Sequence, residues 1–243
     1  MSYRADFITT FFGMIALNLS GFIAFWVIFK NFPQINGWDY REMLFLYAFS
    51  LIALVPAEFF FDNNWNLQQA IVTGDFIKYC FKPLNIFFYY MSEVFGIRGL
   101  GQLVFGVGTL IYAWVGLALP VSFLIIVKLL IALFSASLFM IALRNLSAAT
   151  CFWIINGLHV MNITNKFRDY ARYPITIFGG VFRVIFTFVI PIAFMAYYPS
   201  LELLDTKQPV FLTYLTPIYG IIFFWLSYKV WMKGAMNYSG TGS

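Results

Sequence analysis

Long, almost uninterrupted apolar blocks constrain the fold of this chain more than any other feature. Block 7–29 contains no charged residue, and block 121–143 contains only Lys128. A helix needs about 20 apolar residues to cross the hydrocarbon core of a bilayer. The chain is 62% hydrophobic and 10% charged, whereas soluble domains carry about 25% charged residues. The sequence therefore predicts an all-α polytopic membrane protein that has the lipid bilayer as its solvent.

The breaks between blocks divide the chain into predicted elements. We predict one transmembrane domain over 1–238 and a disordered tail over 239–243. The distribution of Lys and Arg places both termini in the cytoplasm, which requires an even number of spans, and six is the natural count. The apolar blocks that read directly as spans are 7–29, 43–61, 100–119, 121–143 and 211–231. The cations that this orientation places inside are Arg4, Lys78, Lys82, Arg98, Arg144, Lys229 and Lys233, with Lys30, Arg41 and Lys207 outside.

The chain between the fourth and the last block allows two interpretations. In one, residues 147–164 extend the fourth helix and 175–198 crosses the bilayer, so that Lys166 and its neighbouring cations lie inside. In the other, 175–198 enters the bilayer and returns as a re-entrant hairpin. The positive-inside rule favours the first interpretation. A proline at 191 and an arginine at 183 suit two short helices and favour the second.

The sequence shows no set of residues that would supply catalysis or nucleotide binding on this chain. It has no phosphate-binding Gly-x-x-x-x-Gly-Lys-Ser/Thr loop, and the single histidine, His159, has no second metal ligand one turn away. We therefore expect no enzyme activity, no cofactor and no metal on this chain, and the net charge of +5 does not indicate nucleic acid. Glu58 is expected to reach solvent and Lys128 to snorkel. If Glu58 were essential, the rival class would be a self-sufficient proton-coupled carrier; a scaffold without transport is a third possibility.

The amphipathic segment 62–98 is the most structured polar part of the sequence and is called the coupling segment below. Asn63, Asn64 and Asn66 offer N-caps for a short helix over 67–73. Gly74 is predicted to end it in the C′ position, and Asp75 to cap a second helix over 76–81. Such a helix pair suits either an interfacial element on anionic lipid or a docking site for a cytoplasmic protein.

A series of short motifs extends along nearly the whole chain. They are YRADF (3–7), GWDYREMLFLY (37–47), IVTGDFIKYCFKPLN (71–85), FW (152–153), YPITIF (173–178) and FVIPIAFMAYYPSLELL (188–204). In order and spacing they resemble the membrane subunits of ABC-2-type ATP-binding-cassette exporters, in the branch once filed as a domain of unknown function.

The resemblance implies an assembly in a bacterial cytoplasmic membrane. The chain would pair with an identical or sibling membrane subunit and sit on two copies of a cytoplasmic ATPase, which would bind ATP and Mg. It implies a fifth span at 147–170 and a re-entrant hairpin at 175–198, which would put Lys166, Arg168 and Arg172 at the outer headgroups. The residues expected to contact the ATPase are Leu67, Gln68, Ile71, Thr73, Gly74, Asp75, Phe76 and Lys78.

The resemblance also implies a substrate pathway at the seam between two membrane subunits, formed by their first, second and fifth spans. Residues expected to line it are Phe152, Trp153, Asn156 and His159, with an outer gate around Pro191. Aromatic walls would suit an amphipathic or cationic exported substrate. The substrate itself, and the choice between a homodimer and a heterodimer, stay open at this point.

Overall fold

The protein is almost entirely helical. The computed structural model describes residues 2–154, 156–204 and 206–238, with the backbone alone for 2–6; the predicted tail 239–243 lies outside this range. The prediction of an all-α membrane protein is confirmed, apart from one two-stranded hairpin. The helices are α1 (Ser2–Asn31), α2 (Tyr40–Phe60), α3 (Leu67–Val72), α4 (Ile77–Cys80), α5 (Ile86–Met91), α6 (Arg98–Gly116), α7 (Phe123–Ala149), α8 (Gly157–Arg168), α9 (Gly180–Val184), α10 (Tyr197–Ser200) and α11 (Phe211–Met236).

Within the residues that the structure describes, five helices are long and apolar enough to cross a membrane: α1, α2, α6, α7 and α11. They coincide with the five blocks that the sequence marks as spans. α2 is the central one, because 72% of the residues in its most apolar window are buried inside the chain, against 6% for α1. Most of α1 therefore faces lipid or another protein.

The segment predicted as a fifth span, 147–170, is not one continuous helix. α7 continues to Ala149 and ends in a 3-10 turn at Thr150–Phe152, and α8 begins only at Gly157. The chain folds back tightly here, since a Cβ on Gly157 would lie 2.6 Å from the Cys151 nitrogen. α8 is also too polar for a lipid-facing span, with Asn162, Asn165 and two cations among its twelve residues.

Residues 175–203 form a series of short helical turns rather than one span. They comprise 3-10 turns at Ile175–Ile177, Ile192–Met195 and Leu201–Leu203, the short helices α9 and α10, and a π-helical turn at Ile185–Val189. The middle of this segment packs deep against α7, where the ring of Phe194 stacks on that of Phe139 with centroids 5.0 Å apart. Pro191 has no N–H to donate, which fits the end of the π-helical turn at this point.

Hydrogen bonds to a small β-hairpin hold the chain at both ends of this region. Strands β1 (Gln34–Ile35) and β2 (Trp38–Asp39) are antiparallel and joined by Asn36 and Gly37, both with positive φ, as a two-residue hairpin turn requires. The Trp38 indole donates to the Thr176 hydroxyl at 2.8 Å. The Lys207 ammonium donates to the Gly37 carbonyl at 2.6 Å.

A second, aromatic core lies at the other end of the molecule. Trp231 of α11 is fully buried and lies within ring-contact distance of the four other members of what we call the aromatic cluster. This cluster joins the last long helix to the coupling segment. Its members are Phe76, Phe87, Tyr90, Phe152 and Trp231.

The stability of this end should depend on Trp231. Trp231→Ala is expected to lower the free energy of unfolding by about 3–5 kcal/mol, because truncation of a buried tryptophan leaves a cavity. Trp225 lies on the same helix with 54% of its surface exposed, and Trp225→Ala should change stability by less than about 0.5 kcal/mol. Thermal unfolding of both purified variants in one mild detergent compares them. Equal midpoints would contradict the assignment of Trp231 to the core.

Candidate functional site

The coupling segment has the helix boundary that its sequence predicts at Gly74. α3 ends at Val72, and Gly74 follows at a φ of 81°, in the left-handed region that favours glycine. Its N–H donates to the Ile71 carbonyl at 3.2 Å, as expected for a residue at C′. This part of the prediction is confirmed.

The predicted N-caps of this segment are wrong. Asn63 donates to the Tyr90 carbonyl at 2.6 Å, and Asn64 to the side chain of Asn145 at 2.8 Å. Asn66 precedes α3 without a side-chain capping bond. Asp75 accepts from the Thr73 hydroxyl at 2.7 Å and does not cap α4. Asn63 and Asn64 bond to distant parts of the chain instead of capping a helix, and the Asn66 amide donates to the Asn63 side chain at 3.0 Å.

The eight residues predicted to contact an ATPase fall into three groups, one of which, Gln68, Ile71 and Gly74, is half-buried. Leu67 and Phe76 are completely buried and hold the segment to the aromatic cluster. Thr73, Asp75 and Lys78 are exposed. Only the exposed group offers a surface to a partner, and Val72 and Ile77, which were not predicted, lie exposed beside it.

The side chain of Gln68 contacts the start of α8. Its side-chain oxygen accepts a hydrogen bond from the backbone N–H of Leu158 at 2.6 Å. That N–H belongs to the first turn of α8, where helix donors lack intrahelical partners. The Gln68 side chain of α3 therefore supplies the hydrogen-bond acceptor for a backbone N–H in the first turn of α8.

The far end of the coupling segment is held by an ion pair. The Lys78 ammonium lies 3.3 Å from the Glu93 carboxylate, which also accepts from the hydroxyl of Tyr79. Burial and this hydrogen bond raise the pKa of Tyr79 to about 12, so the phenol stays protonated as a donor throughout the physiological pH range. These contacts fix α4 against the chain that follows α5.

A network of five charged side chains lies where α2 leads into the coupling segment. Arg144 of α7 is bonded to Glu58 of α2 and donates to the Ala57 carbonyl at 2.6 Å. One guanidinium nitrogen of Arg98 lies 3.2 and 3.0 Å from the two carboxylate oxygens of Asp62, and Arg144 approaches the same carboxylate to 3.8 Å. Arg168 of α8 lies 3.5 Å from Glu58. We call Glu58, Asp62, Arg98, Arg144 and Arg168 the ion network.

The ion network corrects three expectations. Glu58 is not solvated but buried and paired with two arginines. Arg144 is buried and does not face the cytoplasm. Arg168 does not lie at the headgroups opposite the coupling segment, because its partner Glu58 is two residues from the end of α2 that enters that segment. An unpaired charge in the membrane is costly, and pairing reduces that cost.

A polar groove opens along α2 beside the ion network. Two overlapping cavities of about 320 and 550 Å³ form it, and both are lined by Gln102 of α6 and by Arg168 and Asp169. Along α2 the lining extends from Tyr47 to Glu58, about 16 Å at 1.5 Å per residue. The remaining polar lining consists of Asn18, Ser50, Trp65, Arg98, Asn162, Asn165, Lys166 and Arg172, and the apolar lining of Met14, Leu17, Leu51, Leu54 and Met140.

The residues predicted to line a pathway lie elsewhere. Phe152 belongs to the aromatic cluster, with its ring 5.3 Å from that of Trp231, so it packs in the core rather than lining a cavity. Trp153 and His159 are exposed, and Asn156 precedes α8. None of these four lines the groove. Pro191 lies in a separate apolar cavity of about 300 Å³ between the 185–194 turns and α11, and its role as a gate stays a prediction.

The groove residues that the sequence analysis missed share one property. Arg168, Asp169 and Arg172 form a charged knot between apolar stretches, and Gln102 and Asn18 are isolated amides within predicted spans. Polar residues at membrane depth indicate function by default, and this signal was present in the sequence. Which of them face one another depends on helix packing and could not be read there.

The ion network should contribute strongly to stability. Glu58→Gln is expected to lower the free energy of unfolding by about 3–5 kcal/mol, because it leaves Arg144 buried without its main partner. Lys128→Gln removes a pair between half-exposed side chains and should cost less than about 1 kcal/mol. Thermal unfolding in detergent measures both. A double variant Glu58→Gln/Arg144→Met should recover stability relative to Glu58→Gln; a further loss would contradict the pairing.

Comparison with known proteins agrees with this architecture. No curated protein and no solved structure matches the chain. The family described as ABC-2 family transporter protein matches residues 14–242, which include α1 from Met14 onward, the other four long helices, the coupling segment and the groove. The protein is a membrane permease, and it belongs to the ABC-2 transporter family.

Proposed function

We propose that this permease is the transmembrane subunit of an ATP-driven exporter, coupled to a separate ATPase through the exposed face of α3 and α4. The observation that carries the proposal is the position of α8. Its first turn is held by Gln68 of the coupling segment, and its last turn lines the polar groove with Arg168. A displacement of α3 would therefore move α8 and, with it, part of the groove lining.

The ion network provides a second path between the same two regions. Asp62 lies in the 3-10 turn Asp62–Asn66 that precedes α3, and Arg98 begins α6. Arg144 links that turn to α7 through its contacts with both carboxylates. Movement of the coupling segment would therefore reach α2, α6 and α7 through the charged contacts of the ion network.

The proposed topology has six crossings, the fifth made by residues 157–176. Leu158 contacts the coupling segment, whereas Thr176 contacts the β-hairpin that precedes α2. Residues 157–172 alone would span about 24 Å as a helix, against about 30 Å of hydrocarbon. Residues 177–206 would then form a re-entrant hairpin, and both termini and the coupling segment would be cytoplasmic.

The groove is proposed to be one half of a pathway shared with a second membrane subunit, identical or a sibling. α1, which borders the groove, is almost wholly exposed. Its small residues Ala16, Ser20 and Ala24 lie on the exposed surface, whereas Ala53 and Ala57 of α2 pack inside the chain. Small residues allow close helix approach in membranes, so the α1 ridge suits the seam. Two ATPase copies would complete the assembly.

Co-purification tests the assignment to an exporter. The full-length chain, extracted from its native membrane in mild detergent, is expected to bring a stoichiometric ATPase with it. Asp75→Lys reverses an exposed charge on the proposed docking face and should abolish recovery of the ATPase with the permease. Glu202→Lys, a matched reversal far from the coupling segment, should leave it intact. A permease that purifies without any ATPase would contradict the proposal and favour a self-sufficient carrier.

The link through Gln68 has its own test. An environment-sensitive fluorophore on Asn162→Cys, in a Cys80→Ser background, should respond to ATP in the permease–ATPase complex. Gln68→Leu removes the acceptor for the Leu158 N–H and should abolish this response while ATP hydrolysis continues. Gln68→Glu keeps an acceptor and should preserve it. An unchanged response in Gln68→Leu would show that α8 moves independently of α3.

A further inference from the structure

We infer that the polar groove binds the acidic headgroup of an amphipathic molecule, with its acyl or other apolar part against the helix α1 side. This inference rests on the proposed function in that it names the substrate class for the same groove. Of the two substrate types expected, amphipathic or cationic, it keeps the amphipathic one and replaces the cation by an anion, because the groove is lined by charged and polar residues rather than by aromatic walls.

The charges of the groove favour an anion. Four cations and two carboxylates contribute to its lining: Arg98, Lys166, Arg168 and Arg172, with Glu58 and Asp169. Both carboxylates are already engaged. Glu58 is held by Arg144 and Arg168, and Asp169 lies 3.5 Å from Arg168 and 3.6 Å from Arg172. A cationic guest would have to displace an arginine from one of them.

Two donors in the groove have no partner within the part of the chain that the structure describes. Lys166 is an exposed residue of the groove lining, and its ammonium forms no ion pair there. The amide nitrogen of Asn18 is buried and makes no hydrogen bond, while the Asn18 carbonyl accepts from Tyr47 at 2.7 Å. A buried donor without an acceptor is costly. The oxygens of a phosphate or carboxylate would satisfy it.

The rest of the lining identifies an amphiphile rather than a free anion. Met14, Leu17 and Leu54 form an apolar wall facing the charged end of α8. Leu17 is 68% exposed on the outside of the chain, so this wall continues onto a surface that meets lipid. The headgroup of an amphiphile could enter along α1 while its apolar part stays in the membrane. A soluble anion has no apolar part that would favour this route.

Photo-crosslinking of lipid to the purified full-length chain tests this inference. The probes are phosphatidylglycerol and phosphatidylcholine, each with a diazirine in its acyl chain, in a neutral detergent without ATP. Phosphatidylglycerol should modify the peptides that contain Met14 to Asn18 and Leu51 to Leu54, at about one-tenth the half-saturating concentration of phosphatidylcholine. Both lipids carry the same phosphodiester anion, but the choline cation cancels its charge in phosphatidylcholine, so the comparison measures the effect of net negative charge; a tenfold difference corresponds to about 1.4 kcal/mol.

Charge removal separates the groove from general attraction to the surface. Lys166→Gln should weaken phosphatidylglycerol labelling of these peptides about tenfold and weaken phosphatidylcholine labelling less, because the choline cation already offsets the phosphate charge of that lipid. Lys229→Gln removes a cation on α11, outside the groove, and should change neither. Asn18→Leu provides a second groove variant without loss of charge, and it should weaken phosphatidylglycerol labelling as well.

Three results would overturn the inference. They are equal labelling by both lipids, equal effects of Lys166→Gln and Lys229→Gln, and displacement of the lipid by inorganic phosphate at equal concentration. The third would make the groove a site for free anions. Because no ATPase is present in the assay, the result is independent of coupling. A permease that purifies without an ATPase would refute the proposed function and leave the crosslinking result standing.

Discussion

The contact between Arg144 and Glu58 is the interaction on which the arrangement of the functional regions depends. A buried arginine in a membrane protein needs a carboxylate, and the pair joins α2, the most buried of the long helices, to α7. Asp62 and Arg168 then extend it to the coupling segment and to α8. The charged side chains of the ion network therefore lie between the polar groove and the candidate docking surface and contact elements of both.

Features of the fold that depend on local sequence could be predicted. The five long helices follow from apolar runs of membrane length, and the end of α3 follows from Gly74, whose backbone conformation disfavours other residues. Two further local signals were present but not used. The Asn36–Gly37 pair between Ile35 and Trp38 is typical of a β-hairpin. Asp39 and Glu42 form a capping box at the start of α2.

Features that depend on distant partners could not be predicted. Arg144 was assigned to the cytoplasm by its charge alone, because its partner Glu58 lies 86 residues away in the sequence. The asparagines before α3 have the composition of N-caps, yet Asn64 bonds to Asn145. The groove also depends on residues that are distant from one another in the sequence. Asn18, Gln102 and Arg168 come from three separate helices, so only packing shows that they meet.

The β-hairpin before α2 has a mechanical consequence for the segment between Thr176 and Lys207. Because both ends are bonded to this one hairpin, Thr176 to Trp38 of β2 and Lys207 to Gly37 of the turn, the chain between them is a tethered loop whose endpoints keep a constant separation. A force on this loop can change how deeply it inserts but not where it is anchored. Deformation would concentrate at the π-helical turn and at Pro191, where regular helical hydrogen bonding is interrupted. The segment is thus built to bend about fixed ends rather than to slide.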